Sequence, residues 1–253
     1  LDLSGGEPFL YRDLDEVIEY GFARNLTMSV ATNGSMLDPI RVAFLKKYDV
    51  SVRISYDGFD DKSFSLIRGE NKYAVVREGI KLAVSQGLRV TLVSVLHRYN
   101  IKDIEEYLRS AHSLGVNKIR LMPFVPTGRG LHCKLELITA EQWKYVLEHY
   151  KDWERLYDIE IGLDSPLMSI THGLVCPCVV GKLYLVIKSN GDAIPCALLD
   201  VVIGNIHKNG IDEIWNSHIL KDINNISLLN YDCQKCQYLH ACCGGCRGLA
   251  YKI

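Results

Sequence analysis

Length, composition and charge limit the classes of protein to which this sequence can belong. The 253 residues are 48% hydrophobic, which is enough for one large core or for one core with a small appended domain. The net charge of −1 gives no electrostatic sign of nucleic-acid binding, and no apolar run is long enough to span a membrane.

Short β-type runs alternate with segments of helical period over the first 130 residues. Each helical segment carries one apolar stripe, as between Leu14 and Phe22. The alternation predicts an α/β fold of βα units with a parallel sheet, and leaves open whether that sheet closes as a barrel or stays open. The predicted strands, in chain order, are Leu1–Ser4, Thr27–Thr32, Ser51–Tyr56, Arg89–Leu96 and Lys118–Phe124.

Polar and glycine-rich segments follow the predicted strands. In parallel α/β folds, ligands bind at the carboxyl edge of the sheet. Each segment taken alone also fits an ordinary βα turn, but five on one edge predict a binding site there. The segments are Gly5-Gly6-Glu7-Pro8, Thr32-Asn33-Gly34, Ser55-Tyr56-Asp57-Gly58, His97-Arg98-Tyr99-Asn100 and Pro126-Thr127-Gly128-Arg129-Gly130.

The regular alternation of strand-like and helical segments ends after Gly130. A helix is predicted over Thr139–Trp153, with Thr139 as its N-cap and Gln142 at the capping-box position. A cysteine-rich region follows and runs to the end of the chain. We therefore predict three parts: residues 1–130, a linking helix and strand over 131–165, and a cysteine-rich domain over 166–253.

Eight of the nine cysteines lie between Cys176 and Cys246. This density, the odd number and the lack of an export signal favour metal ligation in a reducing compartment over a disulfide framework. The strongest pattern is C-x2-C-x5-C-x3-C, a spacing that both zinc sites and iron–sulfur clusters use. It is formed by Cys233, Cys236, Cys242 and Cys246.

Two further cysteines bracket a predicted hairpin. Cys178 and Cys196 lie on either side of a strand-like run and a turn at Ser189–Asp192, so the hairpin returns Cys196 toward Cys178. The residues leave the role of Cys176 undecided. Cys133 has no partner spacing and is expected to be a buried free thiol.

The whole chain resembles radical S-adenosylmethionine (SAM) enzymes of the SPASM group. The resemblance rests on the order of Gly5-Gly6-Glu7-Pro8, Ala31-Thr32-Asn33-Gly34, Ile54-Ser55-Tyr56-Asp57-Gly58 and Ile67-Arg68-Gly69, together with the cysteine pattern. It implies a partial (β/α) barrel followed by a small SPASM-like domain. It also implies that SAM binds at the carboxyl edge of the sheet.

The resemblance assigns residues to SAM. Glu7 and the backbone of Gly5 and Gly6 would bind the methionine amino group, which needs carboxylate or carbonyl acceptors. Ser55 would make a polar contact, while Asp57 and Arg68 fit a structural ion pair as well as a functional one. The cofactor-binding residues expected are Gly5, Gly6, Glu7, Pro8, Thr32, Asn33, Ser55 and Asp57.

The resemblance also assigns the cysteines to two auxiliary 4Fe–4S clusters. Cys178, Cys196 and Cys246 would serve the first, with Cys176 as a further candidate ligand. Cys233, Cys236 and Cys242 would serve the second. Folding of this region would then be coupled to cluster assembly. Oxygen-sensitive clusters imply a reducing cytoplasm and an electron donor such as flavodoxin or ferredoxin.

Two departures from the group's pattern fall at the chain ends. No cysteine precedes Cys133, so the catalytic C-x3-C-x2-C loop is missing, and none follows Cys246 as a fourth ligand of the second cluster. The first residue, Leu1, is not Met. We expect truncation of the first βα unit, and expect this chain alone not to generate the 5′-deoxyadenosyl radical.

Three functions remain open at this point. The resemblance implies reductive cleavage of SAM and hydrogen abstraction from a substrate, with peptide or protein maturation as the first hypothesis. A tetrapyrrole substrate of haem-type biosynthesis is the second, because the closing Gly244–Gly248 segment is similar to enzymes of that pathway. A non-catalytic iron–sulfur or zinc-binding protein is the third. Nucleic acid and membranes are not expected as partners.

Overall fold

The computed structural model describes residues 1–132, 136–164 and 178–252. The chain divides into two compact units. The first, here called the sheet unit, comprises Leu1–Phe124 with Glu136–Asp164, and the second, the cysteine-rich unit, comprises Val125–Leu135 with Ser165–Ile253. None of the helices in the described ranges is long and apolar enough to cross a membrane.

The sheet unit is built on six strands that follow one another in chain order across the sheet, and every neighbouring pair is parallel. This order confirms the predicted α/β fold, because parallel neighbours require a crossover connection between consecutive strands. Among the described residues β1 and β6 are the edge strands. The strands are β1 (Asp2–Leu3), β2 (Ser29–Thr32), β3 (Ser51–Ser55), β4 (Val90–Leu96), β5 (Lys118–Pro123) and β6 (Glu160–Leu163).

Helices connect these strands, and two of the helices begin at caps that the sequence predicts. The Asp38 side chain accepts a hydrogen bond from the Arg41 amide at 2.8 Å, with Pro39 in the first turn. Thr139 and Gln142 form the predicted capping box. The helices are α1 (Leu14–Phe22), α2 (Pro39–Lys47), α3 (Asp61–Arg68), α4 (Tyr73–Ser85), α5 (Ile104–Ser113) and α6 (Ala140–Tyr157).

The two faces of the sheet differ in burial. Along β4 buried and half-buried residues alternate without interruption, and β3 follows the same pattern. The buried positions, such as Ile54 and Leu92, belong to the core, as do apolar helix residues such as Ile18, Ile80 and Leu108. The other face, here called the inner face, carries the half-buried positions, which are therefore free to present functional side chains.

The cysteine-rich unit contains a small antiparallel sheet followed by short helices. The predicted hairpin is formed by β7 (Val186–Ile187) and β8 (Asp192–Ile194), with Gly191 in the left-handed region at φ +85°, and β9 (Gly204–Asn205) adds a third strand. One core cluster consists of Ala193, Ile203, Ile214 and Leu220. The helices are α7 (Ile211–Trp215), α8 (His218–Asn224), α9 (Tyr231–Gln234), α10 (Leu239–Cys242) and α11 (Arg247–Lys252).

Candidate functional site

Glu7 lies at the carboxyl edge of the sheet and is fixed by the neighbouring strand. Its Oε1 accepts a hydrogen bond from the Thr32 hydroxyl at 2.6 Å, and its Oε2 accepts one from the Asn33 amide at 2.8 Å. The Phe9 amide lies 3.4 Å from Oε1, which places Glu7 as the N-cap of a 3-10 turn at Pro8–Leu10. The loop after β1 is thereby tied to the end of β2.

The turn after β2 holds these donors in place. The Thr32 hydroxyl is buried and also accepts a hydrogen bond from the Gly34 amide at 3.1 Å. The Asn33 side chain accepts one from the Ser35 amide at 2.8 Å. Gly34 has φ +79°, and a Cβ there would lie 2.8 Å from Ile54 Cγ2, so a side chain is excluded by both conformation and packing. Thr32 and Asn33 thus orient the Glu7 carboxylate.

Gly5 and Gly6 expose their backbone next to Glu7. Both residues are exposed, and a Cβ on either would meet no other atom within 4 Å. A ligand can therefore approach their peptide groups closely. Pro8, by contrast, is buried at the start of the 3-10 turn, where its fixed φ suits the first position of the turn.

Ser55 ends β3 on the inner face, and the strand register places it in a row with residues of the next three strands. Ser55 pairs with Val93, Val93 with Arg120, and Arg120 with Gly162. Arg120 forms an ion pair with Asp164, and the two side chains are 40% and 29% exposed. The inner face at the level of Ser55 therefore presents both a cation and an anion.

Further charged residues lie toward the amino end of the inner face. Arg53 pairs with Asp2 at 3.2 Å, and Lys118 pairs with Glu160 at 2.8 Å. An open cleft of about 320 Å³ is bordered by Asp2, Arg53, Lys118 and Arg120. Arg120 and Asp164 were not among the residues predicted from the sequence. Arg120 occupies an alternate position of β5 and Asp164 directly follows β6, but only the folded structure shows that the two side chains pair.

Asp57 is buried and bonded through both carboxylate oxygens. Its side chain has no exposed surface; Oδ2 is paired with the Arg68 guanidinium, and Oδ1 accepts a hydrogen bond from the Val95 amide at 2.6 Å. These bonds join the loop after β3 to α3 and to the end of β4. A direct contact between Asp57 and SAM stays a prediction, whereas its structural pairing with Arg68 is seen directly.

Buried polar residues surround Asp57, and sequence reasoning missed their grouping. Ser94 and His97 are almost fully buried, and a cavity of about 20 Å³ is lined by Asp57, Ser94 and Tyr107 among others. Burial lowers the pKa of His97, and the Asp57 charge opposes that change. Burial raises the pKa of Tyr107, and the Asp57 charge acts in the same direction. The group is therefore held with neutral His97 and Tyr107 beside one carboxylate.

Three of the predicted cluster ligands come together in the cysteine-rich unit. Burial raises the pKa of the Cys196 thiol, and the nearby Cys246 and Cys178 raise it further, against hydrogen bonds from the Leu198 and Leu199 amides. The fourth candidate for this site, Cys176, lies outside the described residues, as does Cys133. The grouping of residues 178, 196 and 246 matches the ligand set that the resemblance implies for the first cluster.

Backbone amides lie close to two of the sulfurs of the C-terminal cysteines. The Tyr238 amide lies 3.4 Å from Cys236 Sγ, and the Leu249 amide lies 3.4 Å from Cys246 Sγ. Such N–H···S bonds are among the means by which a protein stabilises an iron–sulfur cluster. Cys233 lies in α9, and Cys242 ends α10. All six described ligand candidates are free thiols.

The candidate ligands suit an iron–sulfur cluster by their chemistry. A 4Fe–4S cluster takes one thiolate at each iron. The soft thiolate donors and their amide hydrogen bonds fit such a cluster.

Comparison with protein families gives two matches. The model of the Radical SAM superfamily matches residues 1–111. The model of SPASM, an iron–sulfur cluster-binding domain, matches residues 176–246. The first range contains Glu7, Ser55 and the carboxyl edge of β1 to β4, and the second contains all seven candidate cluster ligands.

Individual relatives are distant but extend over nearly the whole chain. An AdoMet-dependent heme synthase of Methanosarcina barkeri is 25% identical over 99% of this chain and 78% of its own length. The mycofactocin maturase MftC of Mycolicibacterium smegmatis is 26% identical over 97% of this chain and 65% of its own. The crystal structure of Streptococcus suis SuiB bound to the precursor peptide SuiA has a TM-score of 0.78 and 17% identity, covering 100% of this chain and 62% of that one. This last likeness concerns the fold.

Proposed function

Because the chain belongs to the radical SAM superfamily and carries a SPASM iron–sulfur domain, we propose that it modifies a peptide. It is a radical SAM enzyme, and its cofactors are SAM and 4Fe–4S clusters. When bound, these cofactors supply the chemistry that removes a hydrogen atom from a substrate. The protein's own residues bind, orient and enclose the reactants.

The observation that carries the SAM-binding part of the proposal is the fixed carboxylate of Glu7. A carboxylate has about four acceptor sites, and Thr32, Asn33 and Phe9 occupy three of them. The remaining capacity and the full negative charge suit the ammonium group of SAM. The open backbone of Gly5 and Gly6 lies beside it, and Asp57 fixes the loop that follows Ser55.

The inner face supports a polar substrate. Arg120 lies in the register row of Ser55 and pairs with Asp164, and both side chains are partly exposed. This face of the sheet therefore offers one group of each charge. A peptide presents carbonyl, amide and charged groups that pair with both. The relative MftC, named a mycofactocin maturase, supports this substrate class.

A haem precursor is the second candidate, and the relative from Methanosarcina barkeri favours it because the match covers 78% of that synthase. Arg120 would then pair with a carboxylate on the tetrapyrrole. Asp164 has no evident partner on such an anionic ligand, since like charges repel. The mixed charge of the inner face therefore favours the peptide.

We further propose which cysteines bind each of the two auxiliary clusters. Cys178, Cys196 and Cys246, with Cys176, would hold one auxiliary cluster, supported by the proximity of the first three. Cys233, Cys236 and Cys242 would contribute to the other. The radical SAM core would span residues 1–130, the linking part 131–165 and the iron–sulfur domain 166–253. Cytoplasmic location and a flavodoxin or ferredoxin as electron donor complete the proposal.

The SAM site is tested by changing Glu7→Gln in the complete gene product. The variant keeps the shape of the side chain but loses its charge, so SAM affinity should fall by roughly 10- to 100-fold, the worth of one charge-assisted hydrogen bond. Isothermal titration calorimetry measures this. Glu16→Gln, an exposed change in α1, is the matched control. Equal affinity in the two variants would remove Glu7 from the SAM site.

The substrate class is tested by product formation. Release of 5′-deoxyadenosine from SAM should rise with a candidate precursor peptide, and not with a haem precursor. Arg120→Gln should raise KM for the accepted substrate without changing SAM affinity. A rise with the haem precursor alone would overturn the peptide proposal and support the second candidate.

A further inference from the structure

Arg247 directly follows the proposed cluster ligand Cys246 and begins α11. Its Nε donates a hydrogen bond to the Ile223 carbonyl at 2.9 Å, which fixes the plane of the guanidinium group. Its Nη1 is buried and has no hydrogen-bond partner among the described residues. A buried donor without an acceptor is uncommon in folded proteins and calls for an explanation such as an absent ligand or ion.

The loop between Cys242 and Cys246 is shaped around this guanidinium. Three consecutive residues, Cys243, Gly244 and Gly245, lie in the left-handed region with φ of 51°, 81° and 69°. A Cβ on Gly244 would overlap Arg247 Nη1 and lie 2.7 Å from the Leu229 methyl groups. Glycine is therefore required here for two reasons, its backbone conformation and the closeness of the cation. The loop that carries the sulfur ligands packs directly on Arg247.

Among the described residues, no carboxylate pairs with the charge of Arg247. The negative groups adjacent to it in sequence are the proposed thiolate ligands. Cys246 Sγ already accepts a hydrogen bond from the Leu249 amide at 3.4 Å, and Arg247 is the next residue along the chain after this sulfur ligand.

We propose that Arg247 donates its free Nη1–H to a sulfur of the auxiliary cluster held by Cys178, Cys196 and Cys246, and raises the reduction potential of that cluster. The inference rests on the cluster assignment proposed above. Reduction adds negative charge to a cluster, so a fixed cation and a hydrogen bond to sulfur stabilise the reduced state more than the oxidised one. Arg247 is thus a positioning and tuning residue that makes this cluster the readier electron acceptor.

The test is a redox titration of the complete, reconstituted protein, followed by electron paramagnetic resonance of the reduced cluster. The titration uses a Cys233→Ala/Cys236→Ala background, in which the second site lacks two ligands. Arg247→Gln should shift the equilibrium toward the oxidised cluster by about tenfold, which corresponds to a potential lower by about 59 mV for a one-electron couple. Arg247→Lys should retain most of the wild-type potential, because the charge remains.

Lys208→Gln is the matched control, since it removes one exposed positive charge from the same unit. Equal potentials in Arg247→Gln and the control, with full iron and sulfide content, would overturn the role of Arg247 alone. If the wild-type protein binds no iron and sulfide, the cluster assignment fails, and the Arg247 proposal fails with it. These two results are distinguished by the metal analysis of the wild type.

A measurement on the folded wild type covers the case in which Arg247→Gln does not assemble. Protein labelled with ¹⁵N-arginine should show a weak hyperfine coupling between the reduced cluster and an arginine nitrogen in pulsed paramagnetic resonance. The coupling should vanish in Arg247→Lys, which contains no label at that position. A wild-type cluster without any arginine coupling would show that Nη1 does not contact it, and would overturn the proposal.

Discussion

The Asp57 carboxylate is buried away from water and is bonded instead to two fixed donors, the Arg68 guanidinium and the Val95 amide. A buried charge is tolerated only when it is paired and hydrogen-bonded, because desolvation of an isolated ion is costly. The intact ion pair adds little net stability, whereas removal of one partner would leave the other charge buried and unpaired. It fixes the loop between Ser55 and α3, which borders the proposed SAM site.

We expect Arg68→Met to destabilise the sheet unit by about 3–5 kcal/mol, because it leaves the Asp57 charge buried and unpaired. Urea unfolding measures the free energy. In Asp57→Asn/Arg68→Met the charge is gone as well, so the double variant should recover part of that loss. Strict additivity of the two single changes would mean that the two side chains are not coupled.

His97 gives the second expectation at this scale. Its pKa in the folded protein lies below the ordinary value of 6.5 because of burial, with the Asp57 charge opposing the change. The unfolded chain therefore binds a proton at a higher pH than the folded one does. Folding stability contributed by neutral His97 is present above pH 6.5 and is lost as the pH falls from there through the folded-state pKa.

Replacement of His97 by Gln should flatten that part of the stability curve. Chemical denaturation between pH 7.5 and pH 5 in parallel buffers measures the slope for each protein. His112→Gln, which removes an exposed histidine from α5, is the control. An unchanged slope after the His97 substitution would show that another group causes the pH dependence in this range.

At the scale of elements, the geometry of the sheet's carboxyl edge depends on how close each helix starts to the strand that precedes it. The capping box of α3, formed by Asp60 and Ser63, starts that helix immediately after the loop that carries Asp57. Gly58 lies under this first turn, and a Cβ there would come within 2.6 Å of Phe64 Cα. The helix can start this close to β3 only because position 58 has no side chain.

Gly58→Ala should therefore lower the free energy of unfolding by about 1–3 kcal/mol, the usual cost of an overpacked site. It should also shift α3, and with it Arg68. Gly6→Ala is the contrasting change, because a Cβ there meets no atom within 4 Å, and its stability should stay within about 0.5 kcal/mol of wild type. Equal unfolding midpoints for the two variants would contradict the close packing at Gly58.

On the scale of the whole molecule, the two units differ in the interactions that stabilise each of them. The sheet unit buries apolar residues along β2 to β6 and along its six helices. In the described part of the cysteine-rich unit, the buried clusters are small, comprising Ala193, Ile203, Ile214 and Leu220 in one, and Val180, Cys196 and Leu199 in the other. Small cores of this kind depend on metal ligation or other cross-links for stability.

Removal of iron should therefore unfold the cysteine-rich unit and leave the sheet unit intact. Hydrogen exchange after treatment with a chelator and an oxidant should show lost amide protection over residues 186–205 and retained protection over β3 and β4. Reconstitution with iron and sulfide should restore the protection. Full protection of residues 186–205 in the iron-free protein would show that this unit is stable without clusters.

The sequence by itself determined what depends on near neighbours along the chain. The parallel α/β architecture followed from strands alternating with helical periods, and the caps at Asp38 and Thr139 followed from their side-chain chemistry. The cysteine spacing indicated a metal-binding region, and the resemblance of Gly5–Pro8 in its setting implied a SAM site. These are local patterns, because helix period, capping and knuckle spacing act over a few residues.

Tertiary structure decided which distant residues meet. Only the strand register brings Arg120 level with Ser55, and only packing commits both oxygens of Asp57 to Arg68 and Val95. The unpaired nitrogen of Arg247 likewise appears only when the glycine loop is seen packed on it. The physical reason is that each contact joins a side chain to a separately folded segment, so its geometry is set by sheet register and core packing.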